Sequence, residues 1–575
     1  MKVASYFSSI NRTAALPVAM VSGFFALVIA AESPALAADA VTICARSSGK
    51  VATRCLTRAA RRLDGMASPL AGTISDLIST VKRQAIRRCG VPEAEALGYT
   101  TVPDVSTRAA QACQDFSFEI ARIVFAADAA GLTPAQASCR SLVYRYTRRV
   151  VKNVNAAWGP NCLLDEYKGG ACDRARRDQR VAKIRFKAER RIDRACGSDF
   201  DAVLTFEGAS LAERIADFVD LAVTRGRHFA QRLYPPNSLE PSANSGSFPV
   251  GLQTLDLLDV SRLDVSGTGS RPVTVEVYYP STEAAIEGVP REEVRILGFR
   301  IAVVPAYRDV AIAPGTYPLV IFSHGNFGIR TQSFFFAAHL ASHGYIVVSP
   351  DHHGNTFLDA LDGIEDPDVA ANRPLDMSFL LDEFLSFNQT PGDFFENSID
   401  PARIGASGHS FGGLTALLLA GGDTGFGAAT DTRVAAIFPQ APAAPFEDAF
   451  FGTITVPTLI VGGSIDGITP FDVHQQRPFD LLPSGAAVVG LAKLNNAGHF
   501  TFSDFCEVPG TFLAFLGGAE EACEPRHLPW RYAQDITKYL ALNFFDAVLN
   551  GDPEALGRLS PTVLDAFEDF EYQSK

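Results

Sequence analysis

The sequence predicts an α/β fold with a mostly parallel sheet, preceded by a disulfide-linked all-α helical domain. Three observations carry this. From residue 248 onward, short apolar runs of strand length alternate with helical patterns. Eight of the 10 cysteines lie between residues 39 and 232, in a stretch rich in Ala and Arg. The charge changes sign between the halves: residues 39–235 carry 32 Lys/Arg against 21 Asp/Glu, net +11, and residues 236–575 carry 17 against 42, net −25. Halves of opposite sign are expected to dock on each other, at least at low salt. The acidic half argues against nucleic acid as its substrate. With 575 residues, 47% hydrophobic and 20% charged, the chain is globular and long enough for two or three domains.

Lys2 and Arg12 flank the start of an apolar stretch over 14–31, and Ala35-Leu36-Ala37 forms an A-x-A site. This reads as an export signal over 1–37, cleaved near Ala37, rather than as a membrane anchor. An exported chain meets an oxidising compartment, so the cysteines read as disulfides. Metal binding is the weaker reading: no C-x-x-C occurs, and no histidine lies near the cysteines from Cys44 to Cys196.

The expected helical domain covers 38–232. Cys139 to Cys162 spans 23 residues and Cys172 to Cys196 spans 24, each with helical periodicity. Two equal helices joined by a short loop form an antiparallel hairpin. That geometry pairs Cys162 with Cys172 at the turn and Cys139 with Cys196 at the open end. Cys44, Cys55, Cys89 and Cys113 belong to an earlier, looser copy whose pairing the spacing does not give. The Arg-rich faces suit peripheral contact with anionic envelope polymers or lipid headgroups; a solvated or docked helical face is the plainer reading. Residues 233–247, rich in Pro, Ser, Asn and Gly, form the linker.

In the domain over 248–575, strands are expected at 273–279, 319–323, 345–349, 403–407, 434–438, 458–461 and 487–491. Helices are expected at 333–342, 375–387, 411–419 and 531–549. Between one strand and helix lies Gly408-His409-Ser410-Phe411-Gly412, a G-x-S-x-G match to the nucleophile elbow of α/β-hydrolases. A serine on a strained strand-to-helix turn needs neighbours without Cβ atoms, so that strand and helix can approach. In that fold the partners follow in the order Ser, Asp or Glu, His. Asp466 lies just past strand 458–461, and His499 just past strand 487–491 beside Gly498. Ser410 is thus the candidate nucleophile, His499 the base and Asp466 its orienting acid. His474 and His527 are rival bases, and Asp351 a rival acid. Phe411 N–H and Asn326 N–H, in the loop after strand 319–323, are the candidate oxyanion donors. His324 and His409 are expected to shape these loops. Phe334, Phe335 and Phe336, with Phe411, line an acyl pocket or else pack on the sheet. This chemistry calls for no cofactor and no metal.

Over residues 319–500 the chain resembles the α/β-hydrolases grouped around platelet-activating-factor acetylhydrolase, dienelactone-hydrolase-like proteins and cutinases. The resemblance is carried by Phe322-Ser323-His324-Gly325, Leu340-Ala341-Ser342-His343-Gly344-Tyr345, Gly408-His409-Ser410-Phe411-Gly412-Gly413, Pro439-Gln440-Ala441-Pro442, Val456-Pro457-Thr458-Leu459-Ile460 and Gly498-His499-Phe500. It implies the triad Ser410, Asp466 and His499, with oxyanion donors Asn326 and Phe411. Cutinases place a substrate-stacking tryptophan where this chain has Ala443, a departure that argues against polyester substrates. Cys506 and Cys523 flank a loop after His499 and are expected to pair, holding the histidine loop. The expectation is an exported serine hydrolase acting on small-molecule or lipid carboxylic esters. The alternatives are an amide or peptide hydrolase with the same triad, and a catalytically inert envelope-binding protein.

Overall fold

The computed structural model describes residues 132–159, 172–204, 209–233, 245–296, 299–422, 430–507, 520–523, 527–564 and 569–575, with Ala109, Cys162, Phe206, Ser242, Ala243 and Phe567 as isolated positions. The expected leader over 1–37 and Cys44, Cys55, Cys89 and Cys113 lie outside the described residues.

Among the described residues, the N-terminal part holds three long helices: α1 (Pro134–Trp158), α2 (Arg174–Cys196) and α3 (Leu211–Leu233). Their starts are written in the sequence. Thr133 and Gln136 make a reciprocal capping box with Pro134 in the first turn, and Asp173 accepts from Arg176 N–H at 2.9 Å. The α1–α2 hairpin is closed at both ends, by Cys162–Cys172 and Cys139–Cys196. It depends on these bridges, because α2 buries only Ala188, Ile192 and Cys196. Helix α3 crosses α1 closely: a Cβ on Gly226 would stand 2.7 Å from Val154 Cβ.

Among the described residues, the C-terminal part is built on twelve strands: β1 (Val250–Leu263), β2 (Ser270–Pro280), β3 (Glu293–Ile296), β4 (Phe299–Val303), β5 (Tyr307–Arg308), β6 (Tyr317–Ser323), β7 (Ile346–Pro350), β8 (Ile399–His409), β9 (Ala436–Gln440), β10 (Thr458–Gly463), β11 (Val489–Leu494) and β12 (Phe570–Ser574). Ten form one sheet in the order β12-β11-β10-β9-β8-β6-β7-β2-β1-β5, and β3 pairs with β4 apart from it. The central run from β11 to β7 is parallel throughout. Antiparallel pairs appear where β12 joins β11 and where β2 joins β7 and β1.

Helices α4 (Phe334–Ser342), α5 (Val369–Gln389), α6 (Phe411–Ala420) and α7 (Trp530–Leu549) cover the sheet. Alternation along β6 divides the core. Val320 and Phe322 join α4 and α7 on one face, while Leu319 and Ile321 join α5 and α6 on the other. The Phe334–Phe336 run belongs to the first of these cores: Phe336 is fully buried and its ring lies 6.0 Å from Phe438. Of the two readings of this run, packing on the sheet is the one the structure takes. The mostly parallel sheet, the helices on both faces and the strand-to-helix elbow at Ser410 are those of an α/β-hydrolase fold.

Replacing Cys139 and Cys196 together by serine opens a loop of 57 residues. The expected loss is up to about 4 kcal/mol in the helical part, read as an earlier urea transition that leaves the sheet's transition in place.

Candidate active site

The site lies at the carboxyl ends of the parallel strands, where loops from different strands converge. Ser410 stands between the last residue of β8 and the first of α6 with φ 59° and ψ −115°. That conformation is strained for a residue with a Cβ and persists only where the surroundings hold it. The holding is steric. A Cβ on Gly412 would run into the Ser323 carbonyl oxygen, and one on Gly408 would meet the Gly412 backbone. Ser410 N–H donates to Gln440 O at 2.9 Å, and Ser410 O accepts from Leu414 and Ala443 N–H, each at 3.1 Å.

The structure brings Ser410, His499 and Asp466 into one line. His499 Nε2 lies 2.8 Å from Ser410 Oγ, and His499 Nδ1 lies 2.8 Å from Asp466 Oδ2. Asp466 also accepts from Thr469 Oγ1 at 2.8 Å and from the Thr469 and Ile468 N–H groups at 2.7 and 2.9 Å. Burial raises the Asp466 carboxyl, but the His499 and Thr469 contacts outweigh burial and leave it below the usual carboxylate range. Such a line can move the Ser410 proton onto Nε2 while the carboxylate faces the imidazolium.

The other titratable candidates are structural. His409 is buried, donates from Nε2 to His499 O at 2.9 Å and accepts from Gln332 Nε2 at 2.8 Å. Burial pushes it down to about 3, so it is neutral at pH 7. His324 is fully buried and also held neutral by burial. His474 Nδ1 accepts from Ala444 N–H at 2.9 Å. His527 is buried in the contact between α3 and α7. Asp351 is paired with Arg330.

Sequence reasoning missed Arg373, a fully buried guanidinium on α5. It donates to His324 O at 2.5 Å, to Gly325 O at 3.0 Å and to Asn355 Oδ1 at 2.6 Å. Its Cζ also lies 4.5 Å from the Phe411 ring centroid. Burial pushes this group down to about 9, so it remains a cation at pH 7. One side chain therefore touches both segments that carry the candidate oxyanion donors. Gly325 N–H is taken by Gln332 Oε1 at 3.1 Å, and the candidate donor Asn326 is the next residue in the loop. Gly325 itself stands close to the nucleophile: a Cβ there would be 3.5 Å from Ser410 Cβ.

Beneath this loop runs a second Ser-His-Asp line. Ser323 Oγ lies 2.9 Å from His352 Nε2, and His352 Nδ1 lies 2.9 Å from Asp376 Oδ2. All three are sealed from solvent, at 0% side-chain exposure for His352 and Asp376 and 0% for Ser323 overall. Asp376 is further held by Arg271 and Arg262, each at 2.7 Å. No substrate can reach it, whereas Ser410 retains 8% exposure. Burial, the strained elbow and the chain order Ser, Asp, His all set the Ser410 line apart from the sealed one.

Cys506 and Cys523 are bonded, just beyond the turn that carries His499. Substituting Arg373 by Met removes the donors to three buried acceptors, each worth about 1–3 kcal/mol when left unpaired. The variant is expected to lose at least about 3 kcal/mol of folding stability by urea titration.

Residues 306–512 match a family model described as PETase: PET hydrolase-like. The chain is 31% identical over 186 residues to Cutinase est1 of Thermobifida alba, covering 32% of this chain and 54% of that protein. It is 26% identical over 259 residues to Cutinase 1 of Thermobifida cellulosilytica, covering 45% of this chain and 74% of that protein. Among solved structures, a ferulic acid esterase from Streptomyces cinnamoneus aligns at 24% identity with a TM-score of 0.42, over 57% of this chain and 96% of that one. The chain thus spans only about half to three quarters of the length of the two cutinases it matches. Its C-terminal half carries a PET hydrolase-like domain, a cutinase-like α/β-hydrolase.

Proposed function

We propose that the protein is an exported serine hydrolase that cleaves carboxylic esters through an acyl-enzyme on Ser410. The observation that carries this reading is the line from Ser410 Oγ through His499 to Asp466, two contacts of 2.8 Å at a strained elbow. Ser410 Oγ attacks the ester carbonyl as His499 Nε2 takes its proton. The oxyanion is received by Phe411 N–H, at the start of α6, and Asn326 N–H. The imidazolium then protonates the departing alcohol, and a water molecule repeats the sequence to release the acid. Asp466 holds the tautomer in which Nε2 can accept.

The substrate class in this reading is a small-molecule, lipid or polymer ester. The matched cutinases and the PET hydrolase-like family model support ester chemistry over amide hydrolysis or an inert fold. Ala443, whose N–H bonds the Ser410 carbonyl at 3.1 Å, puts only a methyl group beside the nucleophile, so aromatic stacking at that position is not part of recognition. The disulfides fit an oxidising, exported compartment. The same reading divides the chain into a leader over 1–37, a helical domain over 38–232, a linker over 233–247 and the hydrolase domain over 248–575.

A fluorophosphonate probe is expected to label the full chain at Ser410 by peptide mapping. Labelling that persists in Ser410→Ala would sink the proposal. On a p-nitrophenyl ester series from acetate to palmitate, Asp466→Asn is expected to lower kcat by about 10⁴-fold through the wrong imidazole tautomer.

The folded carboxyl of Asp466 lies below its unfolded value. Its contribution to stability is therefore complete above about pH 4 and is lost as pH falls through the folded value. The wild type's margin in melting temperature over Asp466→Asn should thus be flat above that pH and shrink below it.

A further inference from the structure

We infer that the helical half is a positioning element for the catalytic histidine: α3 grips, through Arg225, Arg227 and His228, the two segments from which the His499 loop is hung. The kinetic consequence rests on the ester-hydrolase reading, while the structural one rests on the contacts alone.

The loop over 495–498 links β11 to His499. Asn495 N–H donates to the Asp569 carbonyl at 2.9 Å, and the Asn496 carbonyl accepts from Leu528 N–H at 2.7 Å. Asn496 turns the chain with φ 60°, and its N–H reaches Ser464 Oγ at 2.8 Å. Two of these anchors, Asp569 and the 527–528 segment, lie outside the parallel strands, one just before β12 and the other just before α7. Both are held in turn by α3. Arg227 Nη2 donates to Asp569 Oδ1 at 2.5 Å, and His228 Nε2 lies 3.1 Å from the same oxygen. Arg225 Nη2 donates to His527 O at 2.8 Å. The His228 ring stacks on Tyr532, centroids 5.2 Å apart.

These contacts are unlike a screened surface pairing. Arg225 and His228 are each 1% exposed and Asp569 3%, so salt reaches them little. The path from α3 to the loop is two contacts long: a side chain of α3 to Asp569 or His527, then backbone hydrogen bonds from Asp569 and Leu528 to Asn495 and Asn496. His499 follows three residues later. Beyond His499 the turn is fastened by the hydrolase half itself, through Ser333 Oγ to Phe502 O at 3.1 Å and Gln534 Nε2 to Ser503 O at 3.1 Å. The approach to His499 is therefore the side that the helical half completes. A displacement of about 1 Å at a catalytic group costs on the order of 100-fold in rate. Arg225, Arg227 and His228 touch no reacting atom; they act through the loop.

The test uses the full chain with Arg225→Met or Arg227→Met. Each variant is expected to lower kcat by about 10-fold or more with KM changed less than about twofold, since the oxyanion loop and elbow are untouched. Fluorophosphonate labelling of Ser410 should slow in step. Hydrogen–deuterium exchange reads the loop without any catalysis: amides over 495–498 should exchange faster in both variants, with β8 unchanged. Arg214, also on α3, pairs at 2.8 Å with Asp201 outside that helix; Arg214→Ala is expected to leave every readout at the wild-type value. Variants that melt earlier yet keep wild-type kcat and loop protection would make the helical half a stabilising appendage and overturn the inference. If the wild type hydrolyses no ester, the exchange comparison still decides it. Should Arg227→Met fail to fold, Arg225→Met alone decides, because it releases only the 527–528 segment.

Discussion

The close approach of α6 to the end of β6 is the constraint on which the rest of this site depends. Gly412 lies so near the Ser323 carbonyl that no side chain fits between them. That contact does two things at once. It lets Ser410 adopt φ 59°, and it sets the elbow beside the loop that follows Ser323. Ser410 and the loop after β6 are therefore placed by one packing event. The strain at Ser410, of order 1–3 kcal/mol, is sustained because the flanking elements are anchored in the core: β8 and α6 contribute Ile404, Ala406, Leu417 and Leu419, each fully buried.

A second layer of polar contacts stiffens this arrangement from below. Arg373, Ser323, His352 and Asp376 form a sealed network that ends on the carbonyls of His324 and Gly325. Buried charges cost free energy unless each is paired and hydrogen-bonded. Here Asp376 is met by Arg271, Arg262 and His352, and the His352 and Arg271 contacts overcome burial and hold its carboxyl far below the usual range. The network converts the loop after β6 from a flexible connection into a rigid wall. Rigidity of that kind is what an oxyanion site requires, since donors that must reorganise during reaction stabilise little.

The opposite charges of the two halves acquire a specific meaning at α3. A general attraction between a basic and an acidic half would be screened at ordinary ionic strength. The buried meeting of Arg227 and His228 with Asp569 is not of that kind. It singles out one carboxylate of an acidic half. The helical half, whose α2 buries little apolar surface and is stapled by disulfides, thus presents α3 to the hydrolase half, next to the histidine loop.

Much of the fold and the reacting line was legible in the sequence because it is encoded locally. Buried parallel strands are short apolar runs, the elbow is a glycine pattern with a steric cause, and Asp466 and His499 each sit one turn past a strand. The disulfide hairpin followed from equal cysteine intervals. Elements without a local signature were not legible. Strand β12, Phe570–Ser574, is short and polar, and its place comes from pairing with β11. Helix α3 carried no cysteine framework to mark it. Arg373 reads in sequence as an ordinary surface cation, and its burial depends on partners up to 50 residues away. The sequence by itself determined where Ser410, Asp466 and His499 sit at strand ends, because glycine sterics and strand-end positions are properties of neighbouring residues. Only the tertiary structure decided which of two Ser-His-Asp lines faces solvent and what holds the His499 loop, because burial and long-range hydrogen bonds exist only once distant segments meet.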